Sequence, residues 1–321
     1  MASNNRIFYA CQLVGINNMG GGSGELQVAH GVQSIGITTN FNLEQAFELG
    51  QIQIYENIEG LPDVEVTMEK VLDGYPLLYH LTSSGSTNTS LTSRSKARAD
   101  VRLGIYPDDN DNVTGTPDVE VYCSGMYINS VSYTVPVDGN ATESITLVGN
   151  NKKWLTGINV DPSSDDVQKF LHSAHPAGFG SDAPKNYAVG SGGIQRREDV
   201  LMASSVLPVG IQGVRSVVKQ GNGMDAGFTT NGVHIQNISV STDFSREDIL
   251  ELGKKTPYFR APGFPIEVSC EIEAISTSGD FVSIYEEGDP AFTGTADQGD
   301  NISDEVIRIQ LRDGTIFDLG T

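Results

Sequence analysis

The sequence predicts a mainly β protein, built as two tandem, related β-sandwich or barrel domains that each carry one short flanking α-helix. Three observations predict it. Short stretches alternate apolar with polar residues, the period-2 signature of half-buried strands. Glycine is abundant, at 36 of 321 residues, about one in nine against a usual ~7%. It stands among many Val, Ile, Thr and Ser, a strand-and-turn composition. Finally, one segment occurs twice.

The repeat pairs residues 32–50 with residues 235–253 at a constant offset of 203, without gaps. Gln33, Ile35, Thr39, Phe41, Glu44, Glu48, Leu49 and Gly50 recur as Gln236, Ile238, Thr242, Phe244, Glu247, Glu251, Leu252 and Gly253. Tyr55 then answers to Tyr258 and Pro62 to Pro265. After a one-residue shift, residues 64–69 match residues 266–271.

Each copy reads as strand, short helix, loop, strand. In the first strand Gln33, Ile35, Ile37 and Thr39 alternate with Ser34, Gly36 and Thr38. The helix is expected next. Asn42 and Ser245 suit its N-cap, and acidic residues follow where the helix dipole favours them. Gly50 and Gly253 suit the left-handed residue that ends a helix. Leu43, Ala46, Phe47 and Leu49 in one copy, and Ile249, Leu250 and Leu252 in the other, would form the apolar side. Residues 51–61 and 254–264 read as loops. The closing strands, residues 64–70 and 266–274, alternate cleanly. Glu65, Thr67 and Glu69 form the polar face of one; Glu267, Ser269, Glu271 and Glu273 form that of the other.

The remaining strands are shorter. Residues 6–14 read as a strand and residues 20–24 as a glycine loop. Residues 99–106, 119–123, 128–135 and 143–148 read as a meander that closes a first domain at residues 1–154. Residues 155–205 form a connector, with a short helix at 163–172 and a Gly/Pro-rich loop. The second domain spans residues 206–321 and ends in strands at 305–310 and 315–318. It is shorter than the first. Either it closes with fewer strands, or a neighbouring chain completes it by strand addition, or the given sequence stops before the natural end.

The formal charge is −21, the opposite of the basic footprint that grips phosphate. Such a chain repels nucleic acid and anionic membranes at long range. No segment approaches the ~20 apolar residues of a membrane-spanning helix. Cys11, Cys123 and Cys270 are widely spaced and odd in number, which suits reduced, buried small hydrophobes.

Catalytic and ligand motifs are missing. No Walker-type glycine loop, G-x-S-x-G or calcium loop occurs. His172 and His175 are close, but Pro176 drives the residue before it out of helical geometry, which spoils a shared metal-binding face. The carboxylate pairs Glu44/Glu48 and Glu247/Glu251 read as repeated surface charge rather than acid–base machinery. The expectation is a non-enzymatic protein without cofactor or metal.

Residues 241–260, residues 264–273, Gln195-Arg-Arg-Glu-Asp-Val200 and the strands around 132–149 together resemble tail tube proteins of bacteriophages. The resemblance covers about two-thirds of the chain in patches. It implies subunits that join strands into a ring lined by a continuous β-barrel, with rings stacked into a tube for genome passage. It further implies a virion protein, made in the host cytoplasm, whose partners are copies of itself and other tail proteins such as sheath, terminator and baseplate. Viral DNA would pass without specific binding, and the subunit would not bind membrane. Three two-domain chains would make a pseudo-sixfold ring; six would make a double layer. On this reading Tyr55, Pro62, Tyr258, Phe259 and Arg260 are expected at inter-ring contacts, and Glu267, Glu271 and Glu273 on the lumen wall. Alternatives are a baseplate, terminator or decoration protein of the same fold, or a host- or carbohydrate-binding β-sandwich.

Overall fold

The computed structural model describes residues 11–18, 27–50, 54–83, 97–106, 117–156, 193–201, 234–254, 256–275, 308–313 and 315–319. The β-branched and alternating segments become strands, so the mainly β class is what the chain adopts. In order these are β1 (Gln12–Asn18), β2 (Gln27–Val28), β3 (Val32–Asn40), β4 (Leu43–Phe47), β5 (Ile54–Glu59) and β6 (Asp63–Val71). Helix α1 (Leu78–Ser83) follows, then β7 (Arg98–Ile105), β8 (Val119–Pro136), β9 (Thr142–Gly149) and β10 (Asn151–Thr156). After a 3₁₀ turn at Arg197–Asp199 come β11 (Val200–Leu201), β12 (His234–Asp243), β13 (Glu247–Ile249), β14 (Phe259–Ala261), β15 (Val268–Ile275), β16 (Arg308–Leu311) and β17 (Ile316–Asp318).

Strand β8 organises the molecule. The sequence reading splits it at Ser124-Gly125, yet it is one strand of 18 residues. Gly125 takes a left-handed φ of +65°, and the β7 ladder slips nearby, between Ala99 and Val101. Asp100 pins this bulge by accepting the Gly125 N–H at 2.8 Å and the Tyr122 hydroxyl at 2.9 Å. A bulge bends a strand without ending it. The first half of β8 pairs with β7 and β10, and the second half with β9 and β12. Two antiparallel layers thus share β8. One runs β2-β1-β7-β8-β10, the other β3-β6-β9-β8-β12-β15.

The apolar faces of the layers meet. Val14, Ile16, Val64, Val66, Met68, Val101, Val121, Ile145 and Leu147 form the main core, and Leu78 and Leu81 of α1 pack into it. Each such side chain contributes about 1.5–3 kcal/mol when fully buried. A second cluster joins Leu72, Val135, Ile238 and Val240 to Ile309, Leu311 and Phe317. It seats β16 and β17, which form a small sheet with β11. Cys11 and Cys123 are buried and Cys270 is partly exposed; all three are free thiols.

Because β12 pairs with β8, both copies of the repeat lie in one sheet. A β-ladder therefore rejoins the segments that the sequence reading assigned to two domains. The helix expected at 163–172 and the start of the second domain at 206 lie outside the described residues.

The repeat helix is corrected by the structure. Residues expected as helix are strands β4 and β13, each the outgoing limb of a hairpin returning through β5 and β14. Phe41, Glu44, Glu48 and Gly50, with Phe244, Glu247, Glu251 and Gly253, thus belong to hairpin arms or their roots. Asn42 and Ser245 have φ of +31° and +42°, whereas an N-cap residue sits in the extended region. Gly50 and Gly253 are left-handed as expected, at +96° and +88°, but within the arm turns. That conformation serves a tight turn as well as a helix end. Leu43, Phe47 and Leu49 are exposed, so no helical face meets the core. The flanking helix is α1. Its first N–H groups, from Leu78 and Tyr79, donate to the Glu143 carboxylate at 2.7 and 3.0 Å, a cap supplied by a distant strand.

Candidate functional site: one solvated face, two sheet edges and two arms

The six-stranded layer has one solvated face. In β6, Asp63, Glu65, Thr67 and Glu69 are exposed between buried Val64, Val66, Met68 and Lys70. Register carries that face across the sheet. Glu65, Thr67 and Glu69 lie opposite Thr38, Gly36 and Ser34 of β3, and opposite Val148, Thr146 and Ser144 of β9. Ser130 and Ser132 of β8 continue the rows and lie opposite Asp243 and Ser241 of β12; Ser241 and Ser239 then lie opposite Ser269 and Glu271 of β15. Asn237 pairs with Glu273. The face is a field of small hydroxyls with Glu65, Glu69, Asp243, Glu271 and Glu273 upon it. None of these rows holds a Lys or Arg. Glu271 and Glu273, expected together from sequence, share this face. Glu267 is exposed just before β15, and its carbonyl accepts the Thr242 hydroxyl at 2.9 Å.

The layer ends in two unlike edges. Among the described residues β3 pairs only with β6, and β15 only with β12. Strand directions alternate throughout, so the β15 edge of one chain and the β3 edge of another would meet antiparallel. Strand β3 carries no charged residue along its nine positions. Native edges are usually blunted by charge, Pro or a bulge; here a bulge between Val32 and Ser34 disturbs one end only. The equivalent strand β12 is paired on both sides.

The two arms are structural copies. Glu44, Gln45 and Ala46 face Ile58, Asn57 and Glu56; Glu247, Asp248 and Ile249 face Ala261, Arg260 and Phe259. Every partner keeps the offset of 203. At the roots, Gly60 N–H donates to the Asn42 carbonyl at 3.0 Å, and Gly263 N–H to the Phe244 carbonyl at 2.8 Å. Both arms leave the same end of the sheet. They carry most of the large apolar side chains that are exposed, with Leu49 and Leu252 fully so and Tyr55 and Tyr258 largely so.

The residues expected at inter-ring contacts therefore separate. Tyr55 and Tyr258 project from the arms. Pro62 is half-buried at a root, where its carbonyl accepts the Asn150 amide at 2.9 Å. Phe259 meets the Tyr127 ring edge-on at 6.4 Å. Arg260 is buried, bridging Asp248 at 2.7 Å and Asp63 at 3.4 Å. The sequence reading missed the anchoring of the second arm. Phe244 is in the core. The Arg246 guanidinium lies over the Tyr127 and Phe244 rings at 5.0 and 5.4 Å and donates to the Ile128 carbonyl. Burial lowers the Arg246 pKa to about 10, which leaves it charged at neutral pH. No local periodicity signals these contacts, because the main ones join residues far apart in the chain.

The buried Lys70 and Glu143 pair on the other face of β6 and β9 and are partnered within the chain. Lys70 donates to Asp73 at 2.7 Å and to the His30 carbonyl at 2.6 Å. His30 contacts Asp73 at 2.6 Å and stacks on Tyr75. Burial alone would raise the Asp73 pKa, but the His30 and Lys70 contacts outweigh it and hold it below the usual value. Burial raises that of Glu143, against its backbone N–H donors and Lys70. These groups cap and tie elements together.

No family model matches the chain, and no curated protein matches it. Among solved structures it is similar to the tube terminating cap of the anti-feeding prophage, at 14% identity and a TM-score of 0.34, covering 49% of this chain and 95% of that one. It is also similar to the sheath/tube terminator of the PVC extracellular contractile injection system, at 13% and 0.35, covering 48% and 100%. A third is a chain from the tail of an empty gene transfer agent particle, at 11% and 0.32, covering 47% and 100%. TM-scores this low establish neither a shared fold nor a shared function.

Proposed function

We propose that this chain is a non-enzymatic structural subunit of a phage-type tail tube, joined side by side with copies of itself into rings that stack into a conduit. The observation that carries the reading is the six-stranded antiparallel layer with two unlike edges that are unpaired among the described residues. An interface between unlike patches repeats head to tail, producing closed rings or open filaments rather than a two-fold dimer. Three chains, with six copies of the repeat, would form each ring.

The other features support the same reading. A lumen wall that lets DNA slide needs small, polar, non-basic groups, and the solvated face offers hydroxyls and carboxylates. Arms leaving one end of the sheet, with Leu49, Tyr55, Leu252 and Tyr258 exposed, suit contact with the next ring. Further tail proteins, such as sheath, terminator or baseplate, would meet the assembled tube, and the protein would reside in the virion tail. Negative-stain microscopy of the concentrated protein tests the proposal. Rings or hollow filaments are expected, with threefold averages. A strictly monomeric protein at high concentration overturns it.

A further inference from the structure

We infer that Phe41 is the side chain that anchors one chain to the next. The inference rests on the tube reading and deepens it by naming a contact. Phe41 and Phe244 hold the same place in the repeat, at the ends of β3 and β12 and at the roots of matching arms. Their surroundings differ. Phe244 is 1% exposed and Phe41 is 60% exposed. The cause lies in the sheet. β12 is laid against β8 within the chain, from Asn237 opposite Pro136 to Asp243 opposite Ser130, and the Phe244 N–H then donates to the Asn129 carbonyl at 2.8 Å. That alignment carries Phe244 into the core. On its outer side β3 has no such neighbour among the described residues. The β8–β12 joint is thus an internal example of a joint that β3 is built to make and does not make among the described residues.

The occupant is a second copy of this chain, presenting its β15 edge. Strand β15 has the same direction as β8 relative to the strand it would receive. Its first residues lie at the arm end of the sheet, where β3 also finishes. Val268 and Phe264 are exposed there, so an apolar patch on each edge falls at the same level. Position 246, an Arg that stacks on Tyr127, corresponds to Leu43, which is also exposed. The joint between chains therefore uses apolar contact where the internal joint uses a cation over a ring.

The test compares wild type with Phe41→Asp and Phe41→Leu. Phe41→Asp should unfold at the wild-type temperature under dilute conditions, because the side chain is outside the core. Its threshold concentration for assembly should rise by at least roughly tenfold, whereas Phe41→Leu should stay near wild type. A photo-crosslinking residue at position 41 should join two chains, with the product mapped to residues 264–268 of the second. Phe41→Asp assembling at the wild-type threshold, or crosslinks confined to one chain, would overturn the anchor while leaving the tube reading intact. A wild type that never assembles removes the tube reading and the anchor with it.

Discussion

The two arms have the same root geometry and the same ladder register, yet one is locked to the body and the other has no equivalent anchors among the described residues. The second arm is held by Phe244 in the core, by Arg246 over Tyr127, and by Arg260 between Asp248 and Asp63. The first has Phe41, Leu43 and Asn57 at those places, all exposed. The difference lies in position within the sheet. Among the described residues β12 is interior and β3 is an edge, so equivalent residues meet a neighbour in one copy and are exposed in the other. Duplicated sequence can thus take duplicated local structure while its energetics diverge.

Four comparisons would break or sharpen this contrast, all read on dilute, unassembled protein by denaturant or thermal unfolding. The largest effect is expected at the aromatic pair. Phe244→Ala should cost about 3–5 kcal/mol through a core cavity, whereas Phe41→Ala should stay within about 0.5 kcal/mol of wild type. Equal losses at the two positions would show that the arms are not differently anchored.

The arginine lock comes next. Arg260→Ala removes a buried guanidinium whose partners Asp248 and Asp63 still reach solvent, so the expected loss is about 1–3 kcal/mol. The equivalent change Asn57→Ala should be nearly silent, within about 0.5 kcal/mol. A silent Arg260→Ala would mean that the lock is a surface ion pair in practice.

At the arm roots the order reverses. A Cβ at Gly60 would collide with the Asn42 carbonyl, whereas at Gly263 the nearest atom is the Ser245 carbonyl at 3.1 Å. Gly60→Ala is therefore expected to cost about 1–3 kcal/mol and Gly263→Ala less. The reverse ranking would contradict the packing at the roots.

The smallest effect is a pH dependence in the first half of the chain. Burial lowers the pKa of His80 in α1 below 6.5. The unfolded chain then takes up a proton at a higher pH than the folded chain does. Stability should accordingly fall as pH drops below 6.5, levelling off below the folded pKa. His80→Gln should flatten that slope, and an unchanged slope would assign it to other groups. Asp73 acts in a separate, more acid window. The stabilisation from its depressed pKa is present above 3.8 and is lost as pH falls through the folded value.

The sequence by itself determined the mainly β class, the strand pairs of the repeat, and the alternation that leaves Glu65, Glu69, Glu271 and Glu273 on the solvated face. Period-2 patterning is local, so it survives in the residue order. Even a ladder difference left the faces intact. Val64 matches Ile266 in sequence, but Val268 takes its place opposite Thr242, and a two-residue slip keeps every side chain on its side. The repeat helix failed for the same reason of locality. Asn42, Ser245, Gly50 and Gly253 carry turn chemistry that a helix and a hairpin share, and the backbone hydrogen bonds went to β5 and β14. Conversely α1 was hidden, because its cap, Glu143, comes from another strand. Only the tertiary structure decided that β8 is one bent strand, that β12 rests against it, and that Phe244 is core while Phe41 is surface. Each of these depends on partners far along the chain, and burial is set by neighbours in space.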